Sequence, residues 1–194
     1  MAYAHPFTFM DSSLEPLARS LRNAPVVDRD GYHYFVHGVS DGVPIVEPDI
    51  MQAIVDGFRA RVEFTEVDKL VGPEAMGIHH ATALSLATDV PFVVVRKRAY
   101  GLPDEVAVHQ ETSYGESDLY LNGVEAGDRV VLVDDVLSSG GTIEAVCNAL
   151  EAVGAEIVRI LVVLRRVDGD ADLDRPVTSL LDMKLEDGTV VIVD

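Results

Sequence analysis

The residues that most restrict the fold are 129–142, RVVLVDDVLSSGGT. Val130, Val131, Leu132 and Val133 leave no polar face between them, and a short, mostly β-branched run of this kind suits a strand buried on both sides. Sheets covered on both faces are the parallel sheets of α/β folds, in which helices carry the chain back across the strands. The run ends in two adjacent carboxylates, Asp134 and Asp135. A small Ser/Gly turn follows and opens a helix expected over 142–153, with Gly154 as its C-terminal stop. That turn puts backbone N–H groups, with the hydroxyls of Ser138, Ser139 and Thr142, at a helix N-terminus, which is an anion site. Gly140 and Gly141 let the backbone come close to the anion and take positive φ. Two negative charges therefore stand beside a place suited to a third.

The remainder of the chain repeats the alternation of strand and helix and predicts one α/β domain over residues 1–194 with a largely parallel sheet. A first helix is expected over 13–22 with a serine cap, then a strand in GYHYFVHG at 31–38. A turn at 40–48 leads to a helix over 49–61, and a strand in DKLVG at 68–72 to a helix over 75–87. PFVVVR at 91–96 reads as a buried strand, DLYLN at 118–122 as a short one and EIVRILVVLRR at 156–166 as a long one. Between them, 97–114 is polar and long enough to serve as a lid. The tail, SLLDMKL and TVVIVD, suits a hairpin or added strands about Asp187-Gly188.

Composition narrows the function. Thirty-three acidic residues against 15 basic ones give a formal charge of -18, and a surface of that sign argues against nucleic acid as a partner. The acids are dispersed and 48% of the chain is apolar, so the charge is that of a folded protein, as expected of a salt-loving host. The lone Cys147 cannot make an internal disulfide, and no Cys/His spacing suggests a structural metal. No apolar segment approaches the roughly 20 residues that span a bilayer, and no signal-like segment opens the chain, so a cytoplasmic location is expected and no membrane partner.

The turn at 137–142 lacks both common nucleotide fingerprints, G-x-x-x-x-G-K-[ST] and G-x-G-x-x-G. A sugar phosphate reconciles the acids with the anion site, because its phosphate can sit in the turn while its hydroxyls donate to Asp134 and Asp135. Successive strand residues point to opposite faces, so the two acids need not share one task.

VVLVDDVLSSGGT resembles the 5-phosphoribosyl-1-diphosphate (PRPP) signature of type I phosphoribosyltransferases: four apolar residues, two acids, two further residues and a small Ser/Thr/Gly loop. VGPEAMG at 71–77 lies where adenine-type relatives carry a diphosphate loop. RKRAYGLPDEV and SYGESDLYLNGVEAGDRV are similar to the flexible loop and flanking hairpin of adenine and archaeal hypoxanthine/guanine phosphoribosyltransferases. The likeness covers about 41–183, most closely 69–145, and points to the archaeal hypoxanthine/guanine subfamily, of haloarchaeal type. It implies the type I phosphoribosyltransferase fold, with a small hood from about 25–47 and the tail, about 177–194.

By the same resemblance, ribose 5-phosphate passes from PRPP to a purine and pyrophosphate leaves. Ser138, Ser139, Gly140, Gly141 and Thr142 would hold the 5-phosphate. Asp134 and Asp135 would take the ribose hydroxyls and, through water, Mg²⁺ that travels with PRPP. Glu74, Ala75, Met76 and Gly77 would meet the diphosphate, and Arg96 and Lys97 would stabilise it. Leu102, Pro103 and Tyr114 belong to the lid. Tyr34, Phe35, Val36, Leu181 and Asp182 are candidates for the base, and a homodimer is implied. Two departures concern the acceptor. Thr112, Ser113, Tyr114 and Gly115 stand where adenine-type enzymes read Leu-Glu-Tyr-Gly, and MGIHH at 76–80 lacks their Arg and aromatic. His79 and His80 are read either as contacts of base or phosphate or as a functionless pair on a helix surface. Adenine, orotate or uracil as acceptor, and a non-catalytic PRPP-binding regulator, are the alternatives; a regulator with a DNA-binding domain finds no room in the chain.

Overall fold

The computed structural model describes residues 12–29, 32–112, 115–171 and 173–193. Its centre is the strand that opened the sequence argument, here β7. In chain order the elements are α1 (Glu15–Arg22), β1 (Val26–Arg29), β2 (Tyr32–Phe35), α2 (Gly38–Asp41), α3 (Pro48–Arg59), β3 (Lys69–Pro73), α4 (Gly77–Thr88) and β4 (Phe92–Val95). They continue with β5 (Val106–Thr112), β6 (Gly115–Leu121), β7 (Arg129–Leu137), α5 (Gly141–Val153), β8 (Glu156–Arg166), β9 (Val177–Glu186) and β10 (Thr189–Val193). Six strands form one sheet in the order β10-β9-β8-β7-β3-β4. All neighbours are parallel except β10, which returns antiparallel on β9.

The apolar run of β7 is buried on both faces because successive side chains serve different layers. Val131 and Val133 pack with Leu17, Leu21, Ile54, Phe58 and Leu84 from the side of α1, α3 and α4. Val130 and Leu132 pack with Ile143, Val146 and Leu150 of α5 and with Leu119 and Leu121 of β6. At about 25 cal/mol per Å² of apolar surface removed from water, these two layers are the main favourable contribution to folding.

Several expectations need correction. Ser13 does not cap α1; Ser12–Leu14 form a 3-10 turn, and the helix starts behind Leu14 with no side-chain cap. The reason is apolar: Leu14 is fully buried against α3, so the turn is wound to place it. The helix expected from residue 75 begins at Gly77, which frees 74–76 for a turn. The N-terminal strand is half of a hairpin, β1 with β2. The polar stretch 97–114 is not loop throughout, since Val106–Thr112 pairs with Gly115–Leu121. The base of that hairpin is tied to the end of β4 by reciprocal backbone bonds between Arg96 and Tyr120, at 2.9 and 2.7 Å.

Candidate functional site

The C-terminal ends of parallel strands are where an α/β sheet gathers loops and helix N-termini, and here β3, β4 and β7 deliver theirs to one cavity of about 320 Å³. It is lined by Asp134 and Asp135, by every residue of 138–142, by Glu74, Ala75 and Met76, and by Lys97. Stretches separated in the chain by two crossovers thus meet as expected. Ser40 of α2 also lines the cavity.

The loop has the geometry of an anion cradle. Gly140 sits before α5 with φ 83°, and no side chain caps the helix, so the N–H groups of its first turn are left for a ligand. The loop is also braced from behind. A Cβ on Gly169 would lie 2.5 Å from the Ser138 carbonyl oxygen, and one on Gly140 would lie 3.2 Å from Leu173. Gly169 and Leu173, which carried no sequence signal, therefore fix the shape of the loop.

The acids are held by their own backbone. The N–H of Asp135 donates to Asp134 Oδ1 at 3.0 Å and that of Val136 to Asp135 Oδ1 at 2.7 Å. Asp134 is only 8% exposed, and among the described residues no Lys or Arg forms an ion pair with either acid. Burial pushes the Asp134 carboxyl up to about 6. It raises Asp135 well above the usual carboxylate range, and repulsion from Asp134 adds to the effect.

Opposite the loop, the turn 74–76 is tied to the end of β4. Glu74 N–H donates to the Val95 carbonyl at 2.8 Å, and its carboxylate accepts the Lys97 N–H at 3.0 Å while facing Arg96 Nε at 3.2 Å. Lys97 lines the cavity, whereas Arg96 does not and forms an ion pair with Glu74. Gly77 does not line the cavity. A Cβ there would fall 2.7 Å from Pro73 Cδ and 2.9 Å from the Val133 carbonyl oxygen, so this glycine seats α4 against the sheet.

A second cavity of about 550 Å³ adjoins the first and shares Ser40, Asp135, Val136 and Ser138 with it; Tyr34, Phe35, Asp41 and Arg166 complete its wall. Of the residues read as base contacts, Tyr34 and Phe35 are brought here. Val36 faces a separate cavity beside α1 and α3. Leu181 is buried in β9, and Asp182 of the same strand pairs with Arg165. Leu102 and Pro103 are exposed in the loop before β5, and Tyr114 lies outside the described residues.

Sequence reasoning missed α2, whose four residues carry no periodic pattern. Local capping bonds hold it: the Val39 N–H donates to His37 Nδ1 at 3.2 Å, and Asp41 Oδ2 accepts the His37 N–H at 3.0 Å and the Ser40 hydroxyl at 2.7 Å. The histidines of α4 are not a surface pair. His79 is exposed, but His80, one position on and turned by about 100°, is wholly buried with Nε2 3.3 Å from the Val39 carbonyl oxygen. Burial pushes His80 down to about 4. It braces α2 and touches neither cavity.

The chain is similar to known proteins. A model of the phosphoribosyl transferase domain matches residues 45–192. HGPRTase-like protein 3 of Haloterrigena turkmenica is 73% identical over 186 residues, which is 95% of this chain and all of that one. HGPRTase-like protein 2 of Haloquadratum walsbyi is 53% identical over 92% of this chain and 99% of its own. The crystal structure of adenine phosphoribosyltransferase from Saccharomyces cerevisiae superposes with a TM-score of 0.74 at 28% identity, covering 88% of this chain and 99% of that one. With a family model that spans most of the chain and relatives at 73% and 53% identity over nearly its whole length, the protein belongs to the phosphoribosyl transferase family.

Proposed function

We propose that the protein transfers ribose 5-phosphate from PRPP to a purine, hypoxanthine or guanine before adenine, giving the nucleoside 5'-monophosphate and pyrophosphate. The observation that carries the reading is the common wall of the two cavities. A donor with its phosphate in 138–142 and its hydroxyls on Asp134 and Asp135 directs its diphosphate to the turn 74–76 and Lys97. The acceptor is then left the side under Tyr34 and Phe35.

On this reading the first-turn N–H groups of α5 and the hydroxyls of Ser138, Ser139 and Thr142 bind the 5-phosphate. The transition state separates a cationic sugar from a leaving anion, so the site must stabilise negative charge and exclude water. Lys97 supplies positive charge on the diphosphate side. Arg96 acts through Glu74, whose carboxylate keeps the turn against β4. The acid pair suits a hard divalent cation, since Asp134 is buried and Asp135 half-buried, neither has a basic partner among the described residues and both offer oxygen ligands. Mg²⁺ carried with PRPP would be held there, in part through water, and would neutralise the leaving diphosphate. Residues around Leu102, Pro103 and Tyr114 would close over the donor, and 25–47 with the tail would form a hood. A cytoplasmic homodimer completes the proposal.

The relatives named HGPRTase-like at 73% and 53% identity favour hypoxanthine or guanine as acceptor. The likeness in fold to adenine phosphoribosyltransferases supports adenine as a second reading. Pyrophosphate release with Mg-PRPP and each of guanine, hypoxanthine, xanthine, adenine, uracil and orotate, in dilute and molar salt, decides between them. Turnover with guanine or hypoxanthine is expected. PRPP binding without turnover on any base would overturn the transferase reading in favour of a regulator.

A further inference from the structure

The wall of the second cavity carries few polar side chains apart from those that face the sugar, and most of their hydrogen-bonding capacity is already used. Arg166 is 11% exposed at its side chain and forks onto Asp168, with Nε at 3.1 Å from Oδ1 and Nη2 at 2.8 Å from Oδ2. Ser40 gives its proton to Asp41 Oδ2 at 2.7 Å. Asp41 differs from both. Its Oδ2 is held twice, by that hydroxyl and by the His37 N–H, which fixes the plane of the carboxylate. Its Oδ1 receives no hydrogen bond from any described residue. An ionised carboxylate can only accept, and Asp41, an exposed residue, places such an acceptor on the same cavity wall as the two aromatic residues.

We infer that Asp41 is a specificity-determining residue that reads the donor edge of the base and selects guanine. The inference rests on the transferase reading above and goes further by naming the acceptor. Guanine offers two adjacent donors, N1–H and the 2-amino group, the arrangement that a carboxylate accepts best. Hypoxanthine keeps N1–H but has only C–H at position 2. Xanthine carries an oxygen there and adenine an unprotonated N1, so each sets an acceptor against an acceptor. A site with a fixed polar group discriminates more strongly against an analogue that leaves that group unpaired than a pocket does by shape.

The test is Asp41→Asn. The asparagine oxygen can still accept from His37 and Ser40 and so keep α2, while its amide replaces the outward acceptor by a donor. In steady-state assays with saturating Mg-PRPP, the wild type is expected to prefer guanine over hypoxanthine at least tenfold in kcat/KM. The variant should lower that ratio to about one and raise xanthine turnover at least tenfold. Calorimetry with GMP and IMP gives a readout that needs no turnover, and the same collapse of the affinity ratio is expected. A loosened turn would weaken both nucleotides together and leave the ratio unchanged. An unchanged ratio in the variant, or no guanine preference in the wild type, overturns the role of Asp41 while purine turnover by the wild type upholds the transferase. No turnover of any base by the wild type overturns both.

Discussion

The two ends of β7 treat charge in opposite ways. At its start every ionic group has a partner. Lys69 meets Asp128 at 2.6 Å, Arg129 pairs with Glu66 at 2.7 Å and with Glu156 at 3.5 Å, and the Arg129 N–H donates to Asp68 at 2.8 Å. At its finish Asp134, buried, and Asp135, half-buried, sit side by side, each accepting a backbone N–H and neither in an ion pair among the described residues. One end is satisfied by the fold itself; the other is left without an ionic partner among the described residues. A buried charge without a partner costs several kcal/mol, and on the proposed function a donor that brings hydroxyls and a cation would offset that cost at this end.

The largest effect separates the ends outright. Asp134→Asn with Asp135→Asn should lower kcat/KM more than ~10²-fold, the scale on which a single transition-state contact counts, while the protein stays folded. Wild-type turnover in this variant would remove the distinction. The same variant should melt higher than wild type at neutral pH. A carboxyl whose native pKa is raised costs stability above that pKa and nothing below its unfolded value. For Asp134 the cost grows from about pH 4 to about pH 6 and reaches about 3 kcal/mol. The difference in melting temperature between variant and wild type should therefore be near zero at pH 4 and positive at pH 7. His80 has the opposite sign, because its neutral buried form loses stability as pH falls from 6.5 towards 4; it is present in both proteins and cancels in the difference.

At the satisfied end the signs reverse. Lys69→Met leaves Asp128, 16% exposed at its side chain, without its cation, and should cost about 2 kcal/mol of stability with kcat unchanged. Denaturant titration beside turnover checks both halves. Gly169→Ala probes the loop from behind, since its methyl would press on the Ser138 carbonyl. A rise in KM for PRPP of about tenfold is expected with little change for the base. Least is expected of Glu66→Gln, whose carboxylate is 78% exposed; a change beyond about 0.5 kcal/mol would show that the outer pair matters more than surface pairs usually do.

What the sequence reveals depends on whether a neighbour in the chain or in space does the work. The β7–α5 unit was legible because a strand buried on both faces, a pair of acids and a capless helix start are all local features. Glu74, Met76 and Lys97 reached the cavity as expected, since each flanks a strand whose place in a parallel sheet was readable. The α2 turn was not legible, because His37, Asp41 and the distant His80 shape it through contacts that no periodicity records. The same holds for Arg96, whose charge suggested the diphosphate but whose partner is Glu74, and for Leu181, which packs as a core residue of β9. Short β1, with two charged residues among four, shows no apolar face from which to predict it.

The bracing of the loop by Gly169 and Leu173 has a consequence for synthesis. The chain is made from its N-terminus, so the acids, the loop and the whole of α5 leave the ribosome before the segment that shapes the loop exists. Until β8 and the turn after it have followed, the nascent protein carries Asp134 and Asp135 beside a loop that nothing yet backs. On the proposed function, the capacity to capture the donor arises late, when Gly169 and Leu173 come to lie behind the loop.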